Sequence, residues 1–125
     1  MLPPANRMRS REDFARALRG RRVASGPLVT HLARTGTDEP ARIGLAVSRS
    51  VGSSVVRHRV ARRLRHLLRL RLDRFAPGVL LVVRALPAAA TATSAQLGVA
   101  LDSALDSGLG AGLNSGLGAA PVVRL

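Results

Sequence analysis

The sequence predicts one small α+β domain, and three observations carry that reading. Val56, Val60, Leu64, Leu67 and Leu68 fall at helical spacing and make a single apolar stripe. Leu28–Ala33, Ile43–Ser48 and Val79–Val83 are short runs rich in apolar residues, bounded by turn residues, as strands are. Pro77-Gly78 breaks the chain between the helical stripe and the last of those runs. The order strand–helix–strand implies a crossover, so part of the sheet is expected to be parallel. At 125 residues the chain is long enough for one modest core.

Taken in order, Ser10 is a candidate N-cap, with Asp13 three residues on giving a start that resembles a capping box. The helix that follows, Arg11 to Leu18, sets Phe14, Ala17 and Leu18 on one side and ends near Gly20. Ser25-Gly26-Pro27 turns the chain into the strand Leu28–Ala33. The short turn-rich stretch Thr35–Pro40 then suggests that this strand and Ile43–Ser48 pair as an antiparallel hairpin. Gly52 and Ser53-Ser54 stop and cap the long helix, about Ser54 to Arg71, and Val79–Val83 reads as a buried strand. Ser94 is a candidate cap for a last helix carrying Leu97, Leu101, Ala104 and Leu105. Leucine continues at every fourth position to Leu117, but the later repeats hold too much glycine for an isolated helix. The domain is therefore drawn at residues 1–107, with 108–125 a low-complexity Gly/Ala/Leu tail.

Charge is the strongest functional signal. The formal net charge is +13, and all 20 basic residues are arginine. Nineteen of them lie in residues 1–84 against five acids, so the first two thirds of the chain is the part fitted to a polyanion. Arginine's planar fork binds phosphate in a bidentate manner and stacks on bases, which suits nucleic acid. Cysteine is absent, which excludes disulfides and thiolate metal sites and is compatible with a reducing cytoplasm. The N-terminus has no apolar signal-peptide core, and the longest apolar run, Val79–Val83, is too short to span a bilayer.

The long helix concentrates this charge. A solvated surface helix interleaves acids for pairing across one turn, but no acid occurs from Arg57 to Leu72. His58, Arg62, Arg65 and Arg69 gather opposite the apolar stripe, flanked by Arg59 and His66. Such close like charges destabilise the free protein and point to a partner that neutralises them. The three histidines show no convincing ligand spacing, and neighbouring arginines would repel a cation. The acids are scattered and mostly explained by caps or turns, which speaks against a protein-based two-metal nuclease. Phe14 and Phe75, the only aromatics, are first of all core candidates and give few stacking platforms.

Asn6-Arg7-Met8, Asp13-Phe14, Gly44-Leu-Ala-Val-Ser48 and above all Ser50-Val-Gly-Ser-Ser-Val-Val-Arg-His-Arg-Val-Ala-Arg62 follow one another in a telling order. In these motifs and their spacing the chain resembles, over roughly residues 6 to 84, the protein subunit of bacterial ribonuclease P. His58 stands where the family usually has Asn, Ala61 where it has lysine, and Gly52-Ser53-Ser54 replaces a Gly-Asn-Ala loop. The resemblance implies a two-layer α/β sandwich with a four-stranded, mostly antiparallel sheet, packed helices, and a left-handed crossover through the basic helix. It implies a cytoplasmic ribonucleoprotein endonuclease in which an RNA subunit with magnesium cleaves the 5′ leader from precursor tRNA. The protein would bind no cofactor itself. Arg57, His58, Arg59, Arg62 and Arg65 would contact the catalytic RNA, with Arg49, Arg63 and Arg69 as supporting phosphate contacts. Phe14, Leu18 and His31 would line a cleft for the leader. The rivals are a ribosomal or other structured-RNA-binding protein without processing activity, and a helix lying on anionic membranes. The lack of Trp or Phe on the apolar face speaks against the membrane.

Overall fold

The computed structural model of the chain describes residues 2–109. Its elements run α1 (Arg11–Leu18), β1 (Arg21–Ser25), β2 (Leu28–Arg34), β3 (Arg42–Val47), α2 (Ser54–Arg69), β4 (Val79–Ala85) and α3 (Ser94–Gly108). The four strands form one mixed sheet in the order β1-β2-β4-β3. β1 with β2 and β2 with β4 are antiparallel, and β3 runs parallel to β4. The crossover from β3 through α2 to β4 is therefore present, as the strand–helix–strand order requires.

The hairpin expected between the second and third strands does not form. β4 inserts between them, pairing Leu28–Arg34 on one side and Arg42–Val47 on the other. The reason lies in β4 itself, where Val79 to Val83 are all at most 1% exposed. A strand apolar on both faces belongs at the centre of a sheet, with a neighbour on each edge. The hairpin that does form joins β1 to β2, with Ser25 opposite Leu28 across Gly26-Pro27. Gly26 has φ 54°, and a positive φ followed by proline's fixed negative one is the type II′ combination favoured in two-residue hairpins.

Each face of the sheet carries its own core. Val79, Leu81 and Val83 join Val60, Leu64 and Leu68 of α2 and Leu97, Leu101 and Leu105 of α3, which make the second layer of the sandwich. Each fully buried leucine there contributes about 1.5–3 kcal/mol. Leu80 and Val82 point the other way, into a smaller cluster with Met8, Ala17 and Phe14. On that face α1 crosses β2 and β4, and the Phe14 ring lies on the backbone of Gly44: a Cβ there would come within 2.7 Å of the ring.

The caps refine the expected helix ends. Ser10 accepts from the backbone N–H groups of Glu12 and Asp13, but the Asp13 carboxylate does not close a capping box. It accepts instead from Arg42 Nη1 at 2.7 Å, tying α1 to β3. Ser53 caps α2. The cap of α3 is Thr93 rather than Ser94, and with Gln96 it forms a reciprocal capping box. The leucine repeat is helical through Leu105, and α3 continues to Gly108, one residue past the expected domain end. Leu113, Leu117 and the rest of the tail from 110 on lie outside the described residues.

Candidate nucleic-acid interface

Burial on α2 splits as the stripe predicts. Val60, Leu64 and Leu68 are fully buried, while His58, Arg62, Arg65, His66 and Arg69 are exposed. Arg49 is exposed too, in a short 3-10 turn, Arg49–Val51, that leads into the helix. Among the described residues none of Arg49, Arg57, Arg59, Arg62, Arg63, Arg65 and Arg69 forms an ion pair; the arginines that do are Arg42, Arg71 and Arg74. Within the described residues the face thus keeps its positive charge unneutralised.

The seven arginines are not arranged alike. Arg57, Arg59 and Arg63 are half-buried. Arg59 Nη2 donates to the carbonyl of Ala90 at 3.2 Å, and Arg63 Nη1 to that of Ala92 at 3.1 Å. Both side chains lean sideways onto the segment that leads into α3. The Nε groups of Arg57 and Arg59 are buried and have no hydrogen-bond partner. Ala61, in the place of the family's lysine, is buried, so no cation projects from that position.

Just past Arg69, the cations of Arg71 and Arg74 are neutralised internally. Arg71 grips Asp102 of α3 with Nε at 2.7 Å and Nη2 at 3.1 Å, and donates Nη1 to the Leu67 carbonyl. Arg74 reaches Asp106 at 2.7 Å. The hydrogen bond from Arg71 holds the Asp102 carboxyl below its ordinary range, against the opposing effect of burial. The expectation that caps and turns explain the acids therefore fails for Asp13, Glu39, Asp102 and Asp106, all of which pair with arginine.

A cleft of about 470 Å³ opens beside β3, between α1 and α2. Phe14, Met8, Ile43 and Gly44 give it an apolar lining, and Arg7 and Arg65 stand in its wall. Of the three cleft candidates only Phe14 lines it. Leu18 lies one turn further along α1, 44% exposed, and His31 lies on β2, 5% exposed. His31 sits opposite Arg22 on β1 and Val82 on β4, and neither ring nitrogen has a partner. Burial first, then the Arg84 and Arg22 cations, hold His31 below the ordinary histidine value; the nearby Leu18 carbonyl opposes this without meeting hydrogen-bond geometry.

Sequence reasoning assigned no site role to Arg7, Arg22 or Arg84. Arg84 was within reach, because it is spaced evenly from Leu80 and Val82 and so shares their face of β4. Arg7 becomes legible only in three dimensions. Asn6 Nδ2 donates to the Ala41 carbonyl and Met8 N to that of Ile43, and these bonds lay the N-terminal segment along the edge of β3.

Among the described residues no helix is long and apolar enough to cross a membrane, and no three histidine or carboxylate side chains gather as a metal site would need.

A family model described as Ribonuclease P matches residues 2–107. The Ribonuclease P protein component of Beutenbergia cavernae is 53% identical over 98 residues, covering 78% of this chain and 82% of that protein. That of Streptomyces avermitilis is 52% identical over 106 residues, covering 78% and 86%. In structure, the Staphylococcus aureus RNase P protein superposes with a TM-score of 0.75 at 24% identity, covering 83% of this chain and 95% of that one. The Thermotoga maritima RNase P protein gives 0.70 at 22% identity, covering 81% and 96%. The matched region includes the whole sheet, the arginine-bearing helix and the cleft, and the chain belongs to the bacterial ribonuclease P protein family.

Proposed function

We propose that this chain is the RNA-binding subunit of a ribonucleoprotein endonuclease that removes the 5′ leader from precursor tRNA. Its partners are the ribonuclease P RNA subunit and the precursor tRNA. The observation that carries the reading is the run of unpaired arginines from Arg49 to Arg69 beside a cleft walled by Arg65. Arg57, His58, Arg59, Arg62 and Arg65 contact the catalytic RNA, and Arg49, Arg63 and Arg69 add phosphate contacts. Phosphate neutralisation of this kind supplies affinity and orientation without chemistry. The cleft has one aromatic ring and a cationic wall, which fits a single strand whose base stacks on Phe14 while Arg7 and Arg65 meet its phosphates. Leu18, exposed one turn further along α1, would meet the strand outside the cleft, whereas the buried His31 could act only from beneath that surface.

Magnesium finds no fitting ligand set in the described residues, whose carboxylates are scattered or paired with arginine. In the proposed enzyme the ions and the phosphodiester hydrolysis belong to the RNA subunit. This chain's part is to bind, orient and screen charge. Purified protein mixed with bacterial ribonuclease P RNA and precursor tRNA at low magnesium should stimulate 5′ cleavage. No stimulation by folded protein that still binds structured RNA would leave a ribosomal-type RNA-binding role.

A further inference from the structure

We propose that Arg59 and Arg63, together with the hydroxyls of Thr93 and Ser94, form a recessed site for one RNA phosphate. It carries the RNA interface off α2 onto the segment before α3. The inference rests on the RNA-binding reading above and adds a surface to it.

Arg59 and Arg63 are four residues apart and so share one side of α2, where two like charges repel. The protein nevertheless holds them together. Each donates a single hydrogen bond to a carbonyl, Ala90 or Ala92, of the same short segment. A guanidinium has five N–H donors, so most of each fork remains available. Both forks border a hollow of about 480 Å³ whose wall also includes Thr91, Thr93 and Ser94. No carboxylate lines it.

The hollow is a set of donors. The terminal nitrogens of the Arg59 and Arg63 forks keep donors beyond their single bonds, and no hydrogen bond occupies the Ser94 hydroxyl among the described residues. The Thr93 oxygen accepts from Gln96 N, which leaves its own proton to give. The cap of α3 is already complete, since Thr93 and Gln96 satisfy each other's backbone N–H. It is the guanidinium forks and hydroxyls that make the site. Such a set calls for an anion with several acceptor oxygens, and a phosphodiester supplies two unbridged ones. Continuity decides for RNA over an acidic peptide: the exposed Arg62 lies between the two arginines in sequence and opens onto the cationic face of α2.

Ser94→Asp tests this in the full chain. An acid at the first residue of α3 favours the helix, so the thermal midpoint should hold or rise. The same charge sits in the hollow and can occupy both arginines. Affinity for bacterial ribonuclease P RNA should fall roughly tenfold, the scale of one charged hydrogen-bonded contact. The slope of log affinity against log salt should shrink by a little under one. Ser94→Ala should lose much less. Arg62→Ala is measured alongside, and its loss of affinity reports on the outward face alone. If Arg62→Ala weakens binding and Ser94→Asp leaves affinity and slope at wild type, the recessed site is wrong and the RNA reading survives. If neither variant changes binding, the RNA reading itself falls.

Discussion

Arg62 and Arg71 come from one nearly unbroken run of cations, yet they meet opposite fates. Arg62 opens to solvent with no acid in reach, whereas Arg71 is locked to Asp102 by two hydrogen bonds and to the Leu67 carbonyl by a third. Nothing in the arginine run itself separates them. The divide is set by α3, which passes the C-terminal end of the run and presents Asp102 and Asp106 one turn apart. The lesson is that availability of charge belongs to a pair of elements and not to the helix that bears it. The acidic stretch of α3 thus marks a border: short of Asp102 the arginines of α2 form no ion pair, and beside Asp102 and Asp106 charge becomes internal cohesion.

The largest effect should come from removing what aims both ends. Leu64 is fully buried in the core shared by α2 and α3, and Leu64→Ala should cost about 2–5 kcal/mol in a denaturant titration. RNA binding should then fail together with folding. Next is a crossed pair of variants. The double change Arg62→Ala with Arg65→Ala should leave stability within about 0.5 kcal/mol, as exposed positions allow. It should reduce the salt slope of RNA binding by about 1.5 to 2. Arg71→Ala should do the reverse, losing about 1 kcal/mol of stability, since Asp102 is half exposed and screened, while the slope stays put. Equal effects from the two would erase the border.

A smaller effect tests the border from its acidic side. Asp102→Asn with Asp106→Asn frees Arg71 and Arg74, and the salt slope should steepen by up to about one to two. The stabilisation by Asp102 should also depend on pH. Its carboxyl is held below the ordinary value, so folding is favoured above about pH 4, and this contribution disappears as pH falls through the lowered value. The double variant should lack that acid limb in thermal melts.

The smallest effect belongs to His31. Its folded form resists protonation, so the unfolded chain binds the proton more readily below about pH 6.5. Stability from this group is complete above that pH and declines as pH drops. His31→Leu, which keeps an apolar body at a buried position, should flatten melting midpoints between pH 7 and 5. A wild-type decline in that variant would exclude His31 as its source.

Much of this architecture was legible because α2 obeys one period from Val56 to Leu68 and its caps are local. The arginine face and the buried stripe follow from that period alone. β1 was missed because Arg21–Ser25 holds two arginines and a serine in five residues and buries none of them. It is an edge strand, and charge on an edge strand discourages pairing with other chains. The pairing of β2 was misjudged because sequence proximity favoured β3, while only the two-sided burial of β4 explains the observed order. The roles of Asp102 and Asp106 could not be read at all. They lie 31 and 32 residues from the arginines they engage, and no local pattern links positions so distant.

The place of β4 in the sheet has a consequence for biosynthesis. β3 has no strand partner except β4, which is also the strand that joins it to the β1–β2 hairpin. As the chain is made from its N-terminus, the arginine helix emerges before the strand that completes the sheet beneath it. Until Ala85 has left the ribosome, α2 is a cationic, half-apolar segment with an unfinished seat, in surroundings crowded with ribosomal RNA. The order of the strands thus sets a stretch of translation in which the arginines of α2 are already made while the strand on which their helix packs is not.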